Sequence, residues 1–231
     1  MIGWADASSG ASGDMLLGAL VGAGVPLEVL QRAVSAVAPE RVTLTASTVS
    51  RNGFAATRVE VDVADSTTHR TWRDVREMLQ AAGLDGGVRT RATAVFRRLA
   101  EAEGAVHGSS AEDVHFHEVG ALDAIADVVG VCAGLEHLGL EELVVSPVAV
   151  GSGRVRSAHG DLPVPPPAVA ELLRGVPSYA GPGGADAGEL CTPTGAALLT
   201  SSATSYGPQP EMEVEVVGIG AGVFAARVAR R

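Results

Sequence analysis

The chain has 231 residues, 46% of them hydrophobic but only 3% aromatic, so a core must be built from Ala, Val and Leu, with close backbone approach helped by 29 glycines. That length serves one large domain or two small ones and buries a sizeable core. With 17 basic against 27 acidic residues the formal net charge is −10, which argues against nucleic acid or an anionic membrane as the main partner and suits a cationic ligand, including a metal ion.

The opening MIGWADASSGASGDMLLGALVGAG predicts a short strand, a Gly/Ser turn and a helix. In that helix Met15, Leu16, Ala19, Leu20 and Ala23 keep helical spacing until Gly24 and Pro26 end it. A second helix over 27–37 carries Leu27, Leu30, Val34 and Val37 on one face. VTLTASTVS and TRVEVDV alternate as strands do, and Arg51-Asn52-Gly53 supplies the turn of a hairpin. A polar loop over 67–71 holds His69. Helices follow over 72–82 and 88–107, the second with basic residues Arg89, Arg91, Arg97 and Arg98. VHFHEVGALDAIAD, residues 114–127, leads into an apolar helix ending near Gly139. VVSPVAVGSG reads as a buried strand. In AHGDLPVPPPAVAELLRG, Pro167 suits a first helical turn. GELCTPTGAALLTSSA predicts a turn and a helix, and MEVEVVGIGAG a final strand. No repeat and no flexible linker divides the chain, so one domain over 1–231 is expected, an α/β fold with a mixed sheet, a β-hairpin and flanking helices.

Cys132 and Cys191 are too few for a disulfide framework. The first residues lack the basic stretch and cleavage site of a signal peptide, and the most apolar stretch is broken by Glu136 and His137. A cytoplasmic location is the expectation.

Three stretches carry chemistry. If HFHE is extended, His115 and His117 point to one side and Phe116 and Glu118 to the other. Two imidazoles so spaced can share a borderline metal such as Ni, Zn or Cu. In the following helix Asp123 and Asp127 stand at i and i+4, on a face continued by Gly130 and Gly134. An acidic pair followed by glycines suits close approach by a backbone or a ligand. The plain structural alternative is that Asp123 caps the helix and Asp127 favours its positive end, with surface or core-bonded imidazoles.

The second stretch is DASSGASGDM. A strand ends at Asp6, suited to a metal or ribose contact, and Ser9, Gly10, Ser12 and Gly13 deliver the chain to a helix entrance near Asp14. Small residues and a helix N-terminus suit an anion. Neither a P-loop nor a dinucleotide fingerprint is present, and simple N-capping by Ser12 stands equally well. The third is GELCTPTGAALL, where Thr192 and Thr194 flank Pro193 at a helix entrance suited to phosphate. Cys191 reads as a buried small hydrophobe more readily than as a soft ligand. His159 sits in a loop with Asp161 and joins a metal set only if the fold brings it near His115. No GxSxG elbow supports a hydrolytic triad.

DASSGASGDMLLGAL, VHFHEVGALDAIADVVG, AHGDLPVPPPAVAELLRG and GELCTPTGAALL, in this order, resemble the LarC-type nickel insertion proteins, and the likeness runs from about Asp6 to Gly222. The resemblance implies insertion of Ni(II) into pyridinium-3,5-bisthiocarboxylic acid mononucleotide, giving a nickel-pincer nucleotide cofactor, in a lyase-type reaction dependent on CTP with Mg or Mn. It further implies His115, His117, Asp6, Asp14 and His159 as candidate metal ligands. Glu118, Asp123 or Asp127 would then accept the ring proton or carry the divalent cation, and Ser9, Gly10, Ser12, Gly13, Thr192 and Thr194 would receive phosphate.

Two departures separate the chain from that pattern. Family members usually continue into a C-terminal domain associated with CTP, whereas this sequence stops soon after GIGAG. The loop around His69, often rich in histidine in relatives, here has one. A separately encoded C-terminal partner, a non-catalytic nickel- or nucleotide-binding half and a metal-dependent hydrolase all stay open, as does a homo-oligomer.

Overall fold

In the computed structural model, which describes residues 1–63, 70–116, 121–157 and 160–222, strands and helices alternate around one central helix. The order is β1 (Ile2–Ala5), α1 (Gly13–Gly22), α2 (Leu27–Val37), β2 (Val42–Arg51), β3 (Phe54–Val63), α3 (Trp72–Ala81), α4 (Gly86–His107) and α5 (Leu122–Leu138). Then come β4 (Glu142–Val145), β5 (Val148–Ala149), β6 (Gly151–Ser152), β7 (Arg154–Ser157), β8 (Gly160–Pro163), α6 (Pro167–Leu172), β9 (Ser178–Tyr179), β10 (Gly188–Glu189), α7 (Pro193–Ser202) and β11 (Ser205–Tyr206).

Local chemistry accounts for most boundaries. Arg51 pairs with Phe54, leaving a two-residue loop at Asn52-Gly53. Both loop residues have positive φ, 52° and 86°, the turn whose twist matches paired strands. Thr71 and Asp74 form a reciprocal capping box at the start of α3. Gly139, left-handed at φ 61°, ends α5. Pro167 opens α6 in its first turn, and the Thr192 hydroxyl accepts from Gly195 N at 3.1 Å to cap α7.

β4 lies between β1 and β11 and parallel to both, with Ala5 opposite Val145 and Ser205 opposite Val144. β5 pairs in parallel with β9, while β2–β3, β7–β8 and β6–β10 are antiparallel. The expected α/β class with hairpin and flanking helices is what the chain adopts, but its strands are spread over several small sheets. The stretch read as one buried strand is broken at Ser146-Pro147 into β4, β5 and β6, because proline has no N–H to give a ladder.

α5 is the centre of the core: Leu122, Ile125, Ala126, Val128, Val129, Val131 and Cys132 are each at most 2% exposed. Helices α1, α2 and α4 pack on it. Its glycine face is where α1 lies. A Cβ on Gly130 would stand 2.7 Å from Leu17 Cδ2, and one on Gly134 would stand 2.7 Å from Leu20 Cδ1. The expectation of a close approach along Asp127, Gly130 and Gly134 is therefore met by α1. This also corrects the reading of α1: its most buried side chain is Leu17, fully enclosed, whereas Met15, Leu16 and Ala19 are half-buried. Helix α1 touches α5, α7 and β3 at once, so no single stripe describes its buried side.

The final strand expected in MEVEVVGIGAG is not formed. Residues 212–219 stay outside any regular element, and only Gly220 bridges to Thr57 of β3. Val214, Val216, Val217 and Ile219 are 50–66% exposed. Cβ atoms on Gly218 and Gly220 would overlap the Ala19 and Met15 carbonyls of α1. Those glycines are used for passage along a helix rather than for a sheet.

Candidate functional site

The C-terminal ends of parallel strands are where open α/β folds gather ligands, and here β1 and β4 deliver their following segments to one place. β1 ends into a turn in which Asp6 Oδ1 accepts from Ser8 N at 2.9 Å. The loop is held onto the end of β4 by Ser146, a buried serine whose hydroxyl oxygen accepts from Ala7 N at 2.9 Å. Ala149 N donates to Ala7 O at 3.0 Å.

The two helix entrances singled out in the sequence lie side by side. Ala11 N donates to Leu190 O and Thr192 N donates to Ala11 O, each at 2.9 Å, in a parallel bridge between Ala11 and Cys191. A Cβ on Gly195 would overlap Ala11 O and lie 2.9 Å from Ser12 N. The first turn of α7 thus packs directly on the Ser/Gly loop. Ser9 is exposed, Gly10 and Gly13 are buried, Ser12 and Thr192 are half-buried, and Thr194 is buried.

The entrances differ in charge. Ser12 stands at the N-cap of α1 but makes no side-chain cap; its hydroxyl donates to Asp14 Oδ1, which also accepts from Met15 N at 2.8 Å. Asp127 of α5 arrives beside the same entrance, where a Cβ on Gly13 would overlap its carboxylate. Asp127 Oδ1 is enclosed and accepts no hydrogen bond from a described residue. Burial above all, then the Asp14 and Asp123 carboxylates, pushes the Asp127 carboxyl well above the usual carboxylate range. Asp123 itself is exposed; the N-cap position of α5 is Ala121, and among the described residues no side chain caps that helix. By contrast, α7 has no acidic residue in its first turn.

His115 lies outside this knot. Its segment pairs antiparallel with Thr71, through Trp72 N to Val114 O and Phe116 N to Arg70 O, both 3.2 Å. Phe116 is 1% exposed, its ring 6.2 Å from that of Phe96 on α4. Burying such a ring contributes about 1.5–3 kcal/mol, and it leaves His115 on the exposed side, as expected for the first two residues of HFHE. His117, Glu118 and His159, like His69, lie outside the described residues. Among the described residues no three His, Cys, Asp or Glu side chains form a group able to hold a metal ion.

Cys191 is fully buried, and burial pushes its thiol up to about 12, with Glu189 adding to the effect. It is a packing residue in keeping with the simpler reading. No described helix is long and apolar enough to cross a membrane. Sequence reasoning missed Ser146 and Gly195, which fix the loop and the α7 entrance. The signal for Ser146 was the Ser-Pro break inside an apolar run; for Gly195 there was none, since its constraint comes from a carbonyl more than 180 residues earlier in the chain.

The family described as "Nickel insertion protein" matches residues 4–228. A Nocardioides sp. protein named "Pyridinium-3,5-bisthiocarboxylic acid mononucleotide nickel insertion protein" is 69% identical over 219 residues, covering 95% of this chain and 55% of that protein. A Desulfitobacterium hafniense protein of the same name is 45% identical over 94% of this chain and 54% of its own length. A "Putative nickel insertion protein" of Geotalea daltonii is 45% identical over 94% and 55%. The chain spans about half the length of the curated relatives it matches. No solved structure matches it. With four motifs in family order and a match across nearly all its residues, the chain belongs to the nickel insertion protein family.

Proposed function

We propose that this chain carries the substrate-holding and proton-accepting part of a nickel insertion reaction on pyridinium-3,5-bisthiocarboxylic acid mononucleotide. The observation that carries the reading is the meeting of the α1 and α7 entrances beside Asp127. Metallation of the pyridinium ring forms two Ni–S bonds and a Ni–C bond, and the ring carbon gives up its proton. The residues beside the metal must therefore accept a proton without trapping nickel.

Asp127 suits the proton. A carboxylate whose pKa is raised is a stronger base than an exposed one, and a general base works best with its pKa near the working pH. The α7 entrance is assigned to the phosphate because Thr194 stands at the positive end of that helix and its first turn carries no acid. The α1 entrance suits a divalent cation at Asp14, whose carboxylate stands there with Ser12 and Met15 N, leaving Asp127 for the proton. Ser9, Gly10, Ser12 and Gly13 then shape the approach between phosphate and cation. The His115–His117 pair is proposed as the weak holder of incoming Ni(II), since imidazole binds such ions without the competition a thiolate cage would offer the pincer sulfurs; Asp6, in the Ser/Gly loop, and His159 are further proposed metal ligands. Glu118 and Asp123 remain proposed alternates to Asp127. CTP with Mg or Mn is proposed as co-substrate, and the C-terminal half of the relatives as its partner domain. A cytoplasmic, lyase-type chelatase is the corresponding assignment.

The test combines the purified chain, Ni(II), the bisthiocarboxylate mononucleotide, CTP and Mg, with and without the C-terminal half of a relative, and follows metallated product by mass. Product in either arrangement, lost in Asp127→Asn with mononucleotide binding retained, is expected. Absence of product in both arrangements overturns the nickel insertion reading for this chain. Product that needs the added half assigns this chain as half of the enzyme.

A further inference from the structure

Beside the Ser/Gly loop an open groove is lined by Ser8, Ser146, Pro147, Pro177, Ser178 and Tyr179. Its space of about 430 Å³ falls within the range of about 300–1,000 Å³ that small ligands occupy. Tyr179 is one of two tyrosines in a chain with 3% aromatic residues, and 46% of it is exposed. The backbone that carries the ring is fixed by strand pairing. β9 pairs with β5 with Tyr179 opposite Ala149, and Val150 N donates to Tyr179 O at 2.9 Å. The Tyr179 hydroxyl donates to Ser8 O at 3.4 Å, which ties the ring to the loop that runs on to the α1 entrance. On the other side of Ser8, its N–H is held by the Asp6 carboxylate.

A half-exposed tyrosine that shares a groove with two prolines, on a protein of net charge −10, fits a flat ring that carries positive charge. An aromatic face attracts a cation through its quadrupole. Proline rings supply apolar contact without side-chain ordering. The name of the relatives' substrate contains one such group, a pyridinium ring. We propose that Tyr179, with Pro147 and Pro177, forms the subsite on which the pyridinium ring of the mononucleotide stacks. This inference rests on the reading under Proposed function, and it adds the residue that recognises the ring.

The experiment is calorimetric titration of the full chain with three probes: pyridinium-3-carboxylic acid mononucleotide, cytidine monophosphate and ribose 5-phosphate. Tyr179→Ala is expected to weaken the pyridinium mononucleotide about 3- to 10-fold, the range of a half-desolvated cation–ring contact, and to leave ribose 5-phosphate unchanged. Tyr179→Phe, which keeps the ring and loses only the hydroxyl contact to Ser8, is expected to bind within about 2-fold of the unsubstituted chain, and Tyr179→Trp at least as well. Equal binding of the pyridinium probe by Tyr179→Ala and the unsubstituted chain overturns the subsite. So does an equal loss for ribose 5-phosphate, which marks a general disturbance of the loop. An equal loss for cytidine monophosphate makes the ring a platform for any base and overturns the pyridinium assignment. Failure of all three probes to bind the unsubstituted chain overturns the Proposed function together with this subsite, so the two failures are told apart.

Discussion

Replacing Gly195 by alanine tests whether the two helix entrances really depend on direct backbone contact. A Cβ there overlaps the Ala11 carbonyl, which already accepts from Thr192 N, and comes within 2.9 Å of Ser12 N. Both obstacles are backbone, so no rotamer change relieves them. Overpacking of this kind costs about 1–3 kcal/mol. Loss of the Thr192 N to Ala11 O hydrogen bond adds about 1 kcal/mol. The better helix propensity of alanine returns at most about 1 kcal/mol. The net cost is about 1–3 kcal/mol, which in a domain of this size lowers the melting temperature by about 2–12 °C. Gly86→Ala is the control: it is also at the start of a helix, but its Cβ would meet nothing within 4 Å, so it leaves stability unchanged or raises it. Thermal unfolding followed by circular dichroism reads both variants, and titration with ribose 5-phosphate reads the entrance itself. If Gly195→Ala melts with the unsubstituted chain and binds the sugar phosphate equally, the contact between the α7 entrance and the Ser/Gly loop does not exist as described.

Two further outcomes follow from buried groups. The folded Asp127 carboxyl holds its proton more tightly than an unfolded one, so from about pH 4, where an unfolded aspartate ionises, stability falls as pH rises and levels off above the folded pKa. Asp127→Asn removes that slope, and urea midpoints should show its advantage over the unsubstituted chain growing from pH 4.5 upward; an advantage independent of pH refutes the raised pKa. Cys132 and Cys191 are both buried, with thiols pushed up to about 12, so at pH 8 only about one thiol in ten thousand is ionised. Iodoacetamide should leave the native chain unlabelled by mass and add two groups in urea, whereas native labelling would place a thiol within reach of solvent and of nickel.

Much of the fold was legible because its signals are local. The Asn52-Gly53 turn, the amphipathic face of α2, the Thr192 cap and Pro167 each act within about one turn of chain, so neighbouring residues alone specify them. The i and i+4 spacing of Asp123 and Asp127 and the glycines after them likewise marked a face made for close approach. What occupies that face was not legible: α1 fills it with Leu17 and Leu20 and leaves Asp127 over Gly13, a match made more than 100 residues away in sequence. The strand expected over 212–222 failed for the same reason. Alternating valines state a preference for extended backbone, but a strand exists only where a neighbouring edge pairs with it, and here α1 lies along the glycines instead.

The sequence by itself determined the family, the local elements and the kinds of side chain that carry chemistry, since motif order, capping and periodicity are properties of the chain read in one direction. Only the tertiary structure decided which of those side chains share a solvent-poor space. Desolvation, the cause of the Asp127 shift, comes from what packs over a residue, and the ring of Tyr179 gains its neighbours Ser8 and Ser146 only when β9, the Ser/Gly loop and the end of β4 meet.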